Sequence, residues 1–469
     1  MNRVLSQFLH RLRPTYNPMG MIARRLSMNS GQGYRLADRA RYSSQTSTSA
    51  LPKSADIVII GGGIIGTLAA VYLANRIPGS SMCIIERDLS YTYASTVLSA
   101  GSLRVQYSIP ENIYMSVESF KFLKDIGTHL QVEGDDPPDI QLIEKGFLFL
   151  APEKMVPLIT TYKGIHEKLG IPTEILQPSE LKERYPWLNL DDIVLGSYGC
   201  DYEAMFDPWA YLMCAKKKAQ SMGVRYIEAE VKGMERNGNR IDNVSVVTTQ
   251  GERATINCGS VINAAGAWSS GVAKLAGIGA EGAPPDLKTP LPVEPFARYG
   301  YVFECRDGPV DTPAVVVDGV TGVAFRRETS GLFAASAIQA SRKFYYLMRS
   351  GKDKDSSKLE VDYDFFDEGV WPGLATRCDA FNGLKLVSAW AGYYEINTLD
   401  NNAIIGPHPA IPNFYFSTGY SGHGLQHSPA AGRAISELIL DGKFTTMDLS
   451  KFSFDRIIRN EPYKELAMI

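Results

Sequence analysis

The chain has 469 residues, 45% hydrophobic and 21% charged, which is ordinary globular composition with room for two or three domains. Its net charge of -3 hides an asymmetry: residues 1–50 hold eight arginines, no lysine and one acid, Asp38, so that segment carries +7 and the rest carries -10. An acidic body without a Lys/Arg stripe excludes nucleic acid as a partner, because phosphate binding needs clustered cations.

The basic amino terminus is rich in Ser and Arg and amphipathic. Val4, Leu5, Phe8, Leu9 and Leu12 fall on one helical face, with Arg3, Gln7 and His10 on the other. That composition predicts a mitochondrial transit peptide and a matrix location. Arg41-Tyr42-Ser43 resembles a matrix-protease cleavage context, with residues 43–49 as a linker. The alternative is a basic tail that binds an acidic surface.

Residues 56–66, Asp-Ile-Val-Ile-Ile-Gly-Gly-Gly-Ile-Ile-Gly, read as a strand, a glycine turn and the start of a helix running to about Arg76; Met82-Cys-Ile-Ile-Glu86 is a second strand. Gly61 permits the turn, Gly63 lets backbone N–H groups approach a pyrophosphate, and Gly66 lets helix and strand pack closely. The helix points its positive end at the phosphates. Glu86 is placed to accept from both hydroxyls of an adenosine ribose, and would repel the 2′-phosphate of NADP. The competing reading, a transmembrane helix over the uncharged residues 57–74, is disfavoured by the four glycines and the β-branched residues before them.

After Glu86 and Arg87 comes a small-residue loop with Ser95, Thr96, Ser99, Ala100 and Gly101. Helical spacing follows over residues 111–129, a buried strand over 147–151, and helix-like spacing over 156–181, broken by Tyr185-Pro186-Trp187. Asp207 as N-cap and Pro208 at the first helical position predict a helix to Ser221. Residues 223–227 read as a strand leading to Val231, and Asn237-Gly238 as a two-residue hairpin turn. Residues 260–268 form a buried strand entering a small-residue turn with Ala265, Gly266 and Trp268.

From Pro290 the pattern alternates, with strands over 299–305, 314–318 and 323–327, which predicts an antiparallel sheet. Residues 352–358 read as a charged surface turn. Residues 390–440 return to glycine-rich turns and end in a helix stopped by Asp441-Gly442. The six cysteines, scattered without a C-x-x-C pair, predict no zinc site or redox pair and read as small buried hydrophobes.

Near the carboxyl end, strand 414–417 runs into Thr418-Gly419-Tyr420-Ser421-Gly422-His423-Gly424 and then a helix from about Leu425. Backbone N–H groups there, with the helix terminus, favour negative charge by about 0.3–1 kcal/mol. A reduced flavin carries such charge at N1 and its C2 carbonyl. His423 and His427 are spaced i, i+4 as metal ligands can be, but no third ligand is apparent, so no metal is predicted.

The fingerprint with Glu86, the segment 261–268 and the Ser421-Gly422-His423-Gly424 turn resemble the D-amino-acid oxidase and sarcosine oxidase family of FAD enzymes, over residues 55–440 and in the family's order. The resemblance implies an α/β fold: a Rossmann-like FAD-binding domain interleaved with an α+β substrate domain built on an antiparallel sheet. After a transit peptide and linker at 1–54, FAD-binding parts would be 55–105, 195–288 and 385–469, and substrate-type parts 106–194 and 289–384. FAD would lie along Gly61, Gly63, Ile64, Ile65, Gly66, Glu86, Arg87, Ser95, Ser99, Ala100, Gly101, Val231, Ala265, Gly266 and Trp268, with Gly422, His423, Gly424, Leu425 and Gln426 near the ring.

Arg104, Tyr299, Tyr393, Tyr394 and Gln426 are the catalytic candidates, as contacts to substrate or flavin face. The family holds a substrate carboxylate with a basic residue where Gln426 stands, and pairs the arginine matched by Arg104 with a second where Tyr107 stands. A charge-assisted contact is worth about 1.5–3 kcal/mol, so losing two weakens an amino-acid substrate by orders of magnitude. No lysine stands over residues 331–336, where the family activates oxygen, and neither the Cys beside Ala391-Gly392 nor the His near the second strand that attach flavin in some members is present. The FAD is therefore expected to be non-covalent.

Residues 206–209, 291–295, 389–394 and 406–409 resemble a mitochondrial branch of the family associated with assembly of respiratory complex I. That likeness implies an assembly role, complex I subunits or assembly intermediates as partners, and a peripheral contact with the inner membrane as compatible. The other reading is an active FAD-dependent dehydrogenase or oxidase of a small amine or N-methyl amino acid.

Overall fold

In a computed structural model that describes residues 51–329, 332–337 and 359–466, two large sheets share one chain. From the amino end come β1 (Ser54–Ile60), α1 (Ile64–Ala74), β2 (Met82–Glu86), β3 (Ser102–Leu103) and α2 (Pro110–Lys124). Next are β4 (Ile143–Glu144), β5 (Phe147–Ala151), α3 (Val156–Leu169), β6 (Thr173–Leu176), β7 (Leu195–Gly199) and β8 (Ala204–Met205). Helix α4 (Pro208–Ser221) leads into β9 (Arg225–Asn237), β10 (Arg240–Thr248) and β11 (Arg253–Asn263). β12 (Val293–Glu304), β13 (Val315–Asp318), β14 (Val323–Thr329), β15 (Leu332–Ala337), β16 (Lys385–Asn397), β17 (Ile404–His408), β18 (Ile411–Thr418) and α5 (Gly424–Asp441) follow.

In the seven-stranded sheet β9, β2, β1, β11 and β18 run parallel, β17 adds an antiparallel edge, and β9, β10 and β11 extend into an antiparallel meander. Helix α1 is apolar on every side, with Ile64, Leu68, Val71 and Leu73 all buried, because it is enclosed by the sheet, α4 and α5. This leaves 11 helical residues after a separate strand in place of a membrane span, and among the described residues no helix is long and apolar enough to cross a membrane. The eight-stranded sheet runs β16-β12-β15-β14-β13-β5-β7-β6, antiparallel except between β5 and β13. Strands β3, β8 and β4 form a small third sheet.

Several expectations need correction. The spacing over 156–181 is not one helix: α3 stops at Gly170, which is left-handed at φ 69°, and Thr173–Leu176 pairs with β7 before a short helix Pro178–Arg184. Asn237 pairs with Arg240, so the hairpin turn is Gly238-Asn239, one residue later than predicted. The expected boundaries at 195 and 385 fall on the wrong side of β7 and β16, which both belong to the eight-stranded sheet. Cys200 is exposed and Cys214 half-buried, while Cys83, Cys258, Cys305 and Cys378 are buried. The transit-like segment 1–50, the charged turn 352–358 and the side chains over 331–336 lie outside what the structure describes.

The last turn of Trp371–Arg377 is tied to the sheet by a buried cation. Arg377 meets Asp318 at 2.9 Å and Asp192 at 2.8 Å and donates to the Asn189 carbonyl at 2.6 Å. Replacing it by alanine strands the buried Asp318 carboxylate. Arg377→Ala is expected to cost about 3–5 kcal/mol in urea unfolding; a loss below about 1 kcal/mol would contradict this account.

Candidate functional site

At the end of β1 the Gly61 N–H donates to the Ile85 carbonyl at 2.9 Å. Gly61 has φ +106°, and a Cβ there would come within 2.3 Å of the Ala264 carbonyl oxygen, so only glycine lets this turn sit against the end of β11. At Gly66 a Cβ would stand 2.1 Å from the Gly61 carbonyl oxygen, so α1 begins hard against the strand it leaves. The first intrahelical bond is from Thr67 N–H to the Gly63 carbonyl at 2.9 Å, and Thr96 Oγ1 accepts from Ile64 N–H at 3.1 Å. The other first-turn amides, including that of Ile65, have no intrahelical acceptor and face outward from the helix end.

Glu86 stands at the tip of β2. Its Oε2 accepts from Gly62 N–H at 2.8 Å and its Oε1 from Asp88 N–H at 3.0 Å, while burial raises its pKa above the ordinary carboxylate value. Glu86 pairs with Glu228 of β9, three residues before Val231. The Arg87 guanidinium lies 3.8 Å over the Trp268 ring.

A run of contacts joins this end to the carboxyl-terminal turn. Ser95 Oγ donates to the Tyr393 carbonyl at 2.5 Å, Ser99 Oγ accepts from Gly101 N–H at 3.1 Å, and Trp390 Nε1 donates to the Leu98 carbonyl at 2.8 Å. Arg326 of β14 donates to the carbonyls of Ala100 and Gly101. The Tyr394 ring covers Gly422, where a Cβ would come within 2.3 Å of it. Leu425 is buried in the first turn of α5, behind Gly424.

Beneath the turn is Glu395, an acid that the sequence reading missed. It accepts from the Thr418 hydroxyl at 2.9 Å and Gly419 N–H at 3.2 Å, and its carboxylate oxygens face the sites where a Cβ on Gly266 or Gly424 would stand, at 3.9 and 3.4 Å. Burial pushes its carboxyl up to about 7.

The positions expected to hold a substrate carboxylate are closed on themselves. Gln426 Nε2 donates to the Tyr107 hydroxyl, and Gln426 Oε1 accepts from Arg104 N–H at 2.8 Å. Tyr107 is fully buried, with the Arg104 guanidinium 4.2 Å over its ring and His423 edge-on at 5.1 Å. Both ends of the pair are neutral. His427 Nε2 faces Ser116 Oγ at 3.1 Å; burial and Arg104 hold His423 and His427 well below the ordinary histidine range. Among the described residues no group of three His, Cys, Asp or Glu could hold a metal.

Two tyrosines chosen from sequence lie on another face. Tyr393 meets Trp268 and Ala297, and Tyr299 packs 6.1 Å from Phe365, whereas the next residue along β16, Tyr394, faces Gly422 and Arg298. Arg298 itself carried no sequence signal beyond its place in an alternating strand.

Residues 56–438 match the model of the FAD dependent oxidoreductase family, DAO. The chain belongs to the FAD dependent oxidoreductase family. It is 43% identical over 437 residues to FAD-dependent oxidoreductase domain-containing protein 1 of Xenopus laevis, covering 89% of this chain and 85% of the relative. It is 24% identical over 398 residues to the mitochondrial sarcosine dehydrogenase of Mus musculus, covering 84% of this chain and 40% of that protein. Among solved structures, L-proline dehydrogenase from P. horikoshii matches with TM-score 0.73 and 26% identity over 88% of this chain and 100% of that one.

The family implies FAD, and the residues present fit it. Helix α1 offers first-turn N–H groups beside Gly63, where a Cβ would meet only Thr96 Oγ1, and Glu86 offers carboxylate lone pairs at the adjacent strand tip. The Glu395 carboxyl supplies a test of the turn that would face the ring. Its pKa is raised, so the unfolded chain ionises first; the stability it gives in full below about pH 4.5 is lost as pH rises through about 7. Glu395→Gln is therefore expected to shrink the fall in Tm between about pH 5 and pH 8. An unchanged fall would contradict the assignment.

Proposed function

We propose that this chain is a mitochondrial flavoprotein that acts in assembly of respiratory complex I, with complex I subunits or assembly intermediates as partners and FAD held non-covalently. The observation that carries the reading is the Tyr107–Gln426 pair: where an amine-oxidising relative would place two cations for a carboxylate, a neutral phenol and amide satisfy each other. The likeness of residues 206–209, 291–295, 389–394 and 406–409 to the assembly-associated branch supports the same role. The arginine-rich amino terminus and the mitochondrial relative support the compartment.

Bound FAD supplies two-electron acceptance. The chain's own part is to hold the ribose hydroxyls at Glu86, the phosphates at the start of α1 and the ring edge at residues 419–424. Ala391-Gly392 offers no nucleophile for a covalent flavin bond. A second reading, retained oxidoreductase activity on a small amine donor, is favoured by the intact turn and by cations beside it at Arg104 and Arg298.

Purified protein from about Ser43 onward is expected to show the visible flavin absorption band and to release it on acid precipitation. A band that stays with the pelleted chain would contradict non-covalent binding. In cells lacking the protein, the native chain should restore complex I assembly, and Gly63→Val, which crowds the start of α1, should not. Normal complex I in the depleted cells would overturn the assembly role.

A further inference from the structure

Behind the eight-stranded sheet lies a cleft of about 570 Å³, walled by stretches of chain within 178–191, 307–309 and 378–380. It is separate from the candidate flavin site. Trp187 in its wall packs 6.1 Å from Phe325 of β14, while the next residue along that strand, Arg326, reaches the carbonyls of Ala100 and Gly101. Successive strand residues point to opposite faces, so cleft and flavin turn lie on opposite sides of the sheet.

The walls are tied to one another before any partner arrives. Asn189 N–H donates to the Arg377 carbonyl at 2.9 Å, Arg377 donates to the Asn189 carbonyl at 2.6 Å, and Trp187 Nε1 donates to the Asp311 carbonyl at 3.1 Å. A preformed cleft spares its occupant the cost of ordering it. The lining mixes apolar and acidic groups: Pro186, Trp187 and Pro309 stand with the exposed Asp191, Asp307 and Asp379. Lys182, also in the lining, donates to the Leu188 carbonyl at 2.7 Å, and among the described residues no cation pairs with the three aspartates. Apolar surface continues onto the rim. Val310 follows Pro309, Trp371 donates to the Phe381 carbonyl beside Ala380 at 3.1 Å, and both side chains are exposed.

The charge of the cleft selects what fits it. Phosphates and anionic lipid are repelled, and among the described residues no group of carboxylates could hold a metal. Positive charge spread along a chain is complementary, with apolar side chains between the charges to cover Trp187, Val310 and Trp371.

We propose that this cleft is the docking surface for an extended basic segment of a partner polypeptide, with Lys or Arg at the aspartates and apolar side chains on the tryptophans and Val310. For the partner's class this rests on the assembly reading above. The flavin site on the other face takes no part.

The test uses the purified chain and a fluorescein-labelled peptide of sequence Arg-Leu-Pro-Arg-Leu-Pro, with binding read by fluorescence anisotropy. The same peptide with Glu for Arg, and again with Ser for Leu, are the controls. The Arg-Leu peptide is expected to bind, more weakly as salt rises, and both controls to bind less. The combined variant Asp191→Asn, Asp307→Asn, Asp379→Asn should weaken binding roughly fivefold or more. Val310→Lys, which sets a like charge on the rim, should weaken it too, and both variants should keep the native visible absorption spectrum. If the combined variant does not fold, Val310→Lys and the peptide controls carry the test. A native chain that does not bind the peptide, a Glu peptide that binds as well, or variants that bind as tightly as the native chain would each overturn the docking surface. In cells lacking the protein, the combined variant should fail to restore complex I, and full restoration would overturn it as well. Normal complex I in the depleted cells before any rescue would overturn the assembly reading instead, independently of the peptide result.

Discussion

The carboxylate of Glu395 and the backbone on either side of it join the two sheets where the candidate site lies. Glu395 belongs to β16 of the eight-stranded sheet, yet its side chain accepts from Thr418 and Gly419 at the end of β18, in the seven-stranded sheet. Its carbonyl accepts from Ser421 N–H at 3.1 Å, and Ser421 Oγ accepts from Asn397 N–H at 3.0 Å. Ile396 and Tyr420 form an antiparallel bridge between the two. The placement of Tyr394 over Gly422 sits directly beside this short splice.

A buried carboxylate is an expensive splice unless its lone pairs are occupied. Here backbone and hydroxyl donors do that work in place of a cation, which leaves the nearby arginines uncommitted to it. The same economy appears at Glu203, which accepts from the amides of Val105 and Phe147 and is also pushed up to about 7. The interior around the candidate site is thus acid satisfied by neutral donors, beside a neutral phenol-amide pair. Arg104 is buried beside it, and Arg87, Arg298 and Arg326 approach it from its edges.

How far this was legible in the sequence depended on whether a residue's role is local. Met82–Glu86 was read to the residue and the fingerprint strand to within two, beginning at Ser54 where Asp56 was expected, because glycine spacing and apolar runs state local geometry. Asp207 as cap likewise accepts from Trp209 and Ala210 N–H as its type predicts. The helix-like spacing over 156–181 misled, because a short strand with polar flanks mimics helical periodicity and only pairing with β7 reveals it. Gln426 and Tyr107 were flagged one at a time; that they bond to each other across 319 positions is tertiary information. Tyr299 and Tyr393 were chosen for chemistry, and the strand pleat put their neighbours Arg298 and Tyr394 on the face that matters.

The central strand of the seven-stranded sheet has a further consequence. Ser54 begins β1, but its neighbour on one side is Asn257 of β11, and β11 in turn awaits Phe414 of β18. The larger sheet is equally deferred, since β12 is covered on one side by β16. A chain wired this way has no early half that can close alone: the eight-stranded sheet waits for the strand ending at Asn397 and the seven-stranded sheet for the strand ending at Thr418, so both keep an unpaired strand exposed until late in the chain.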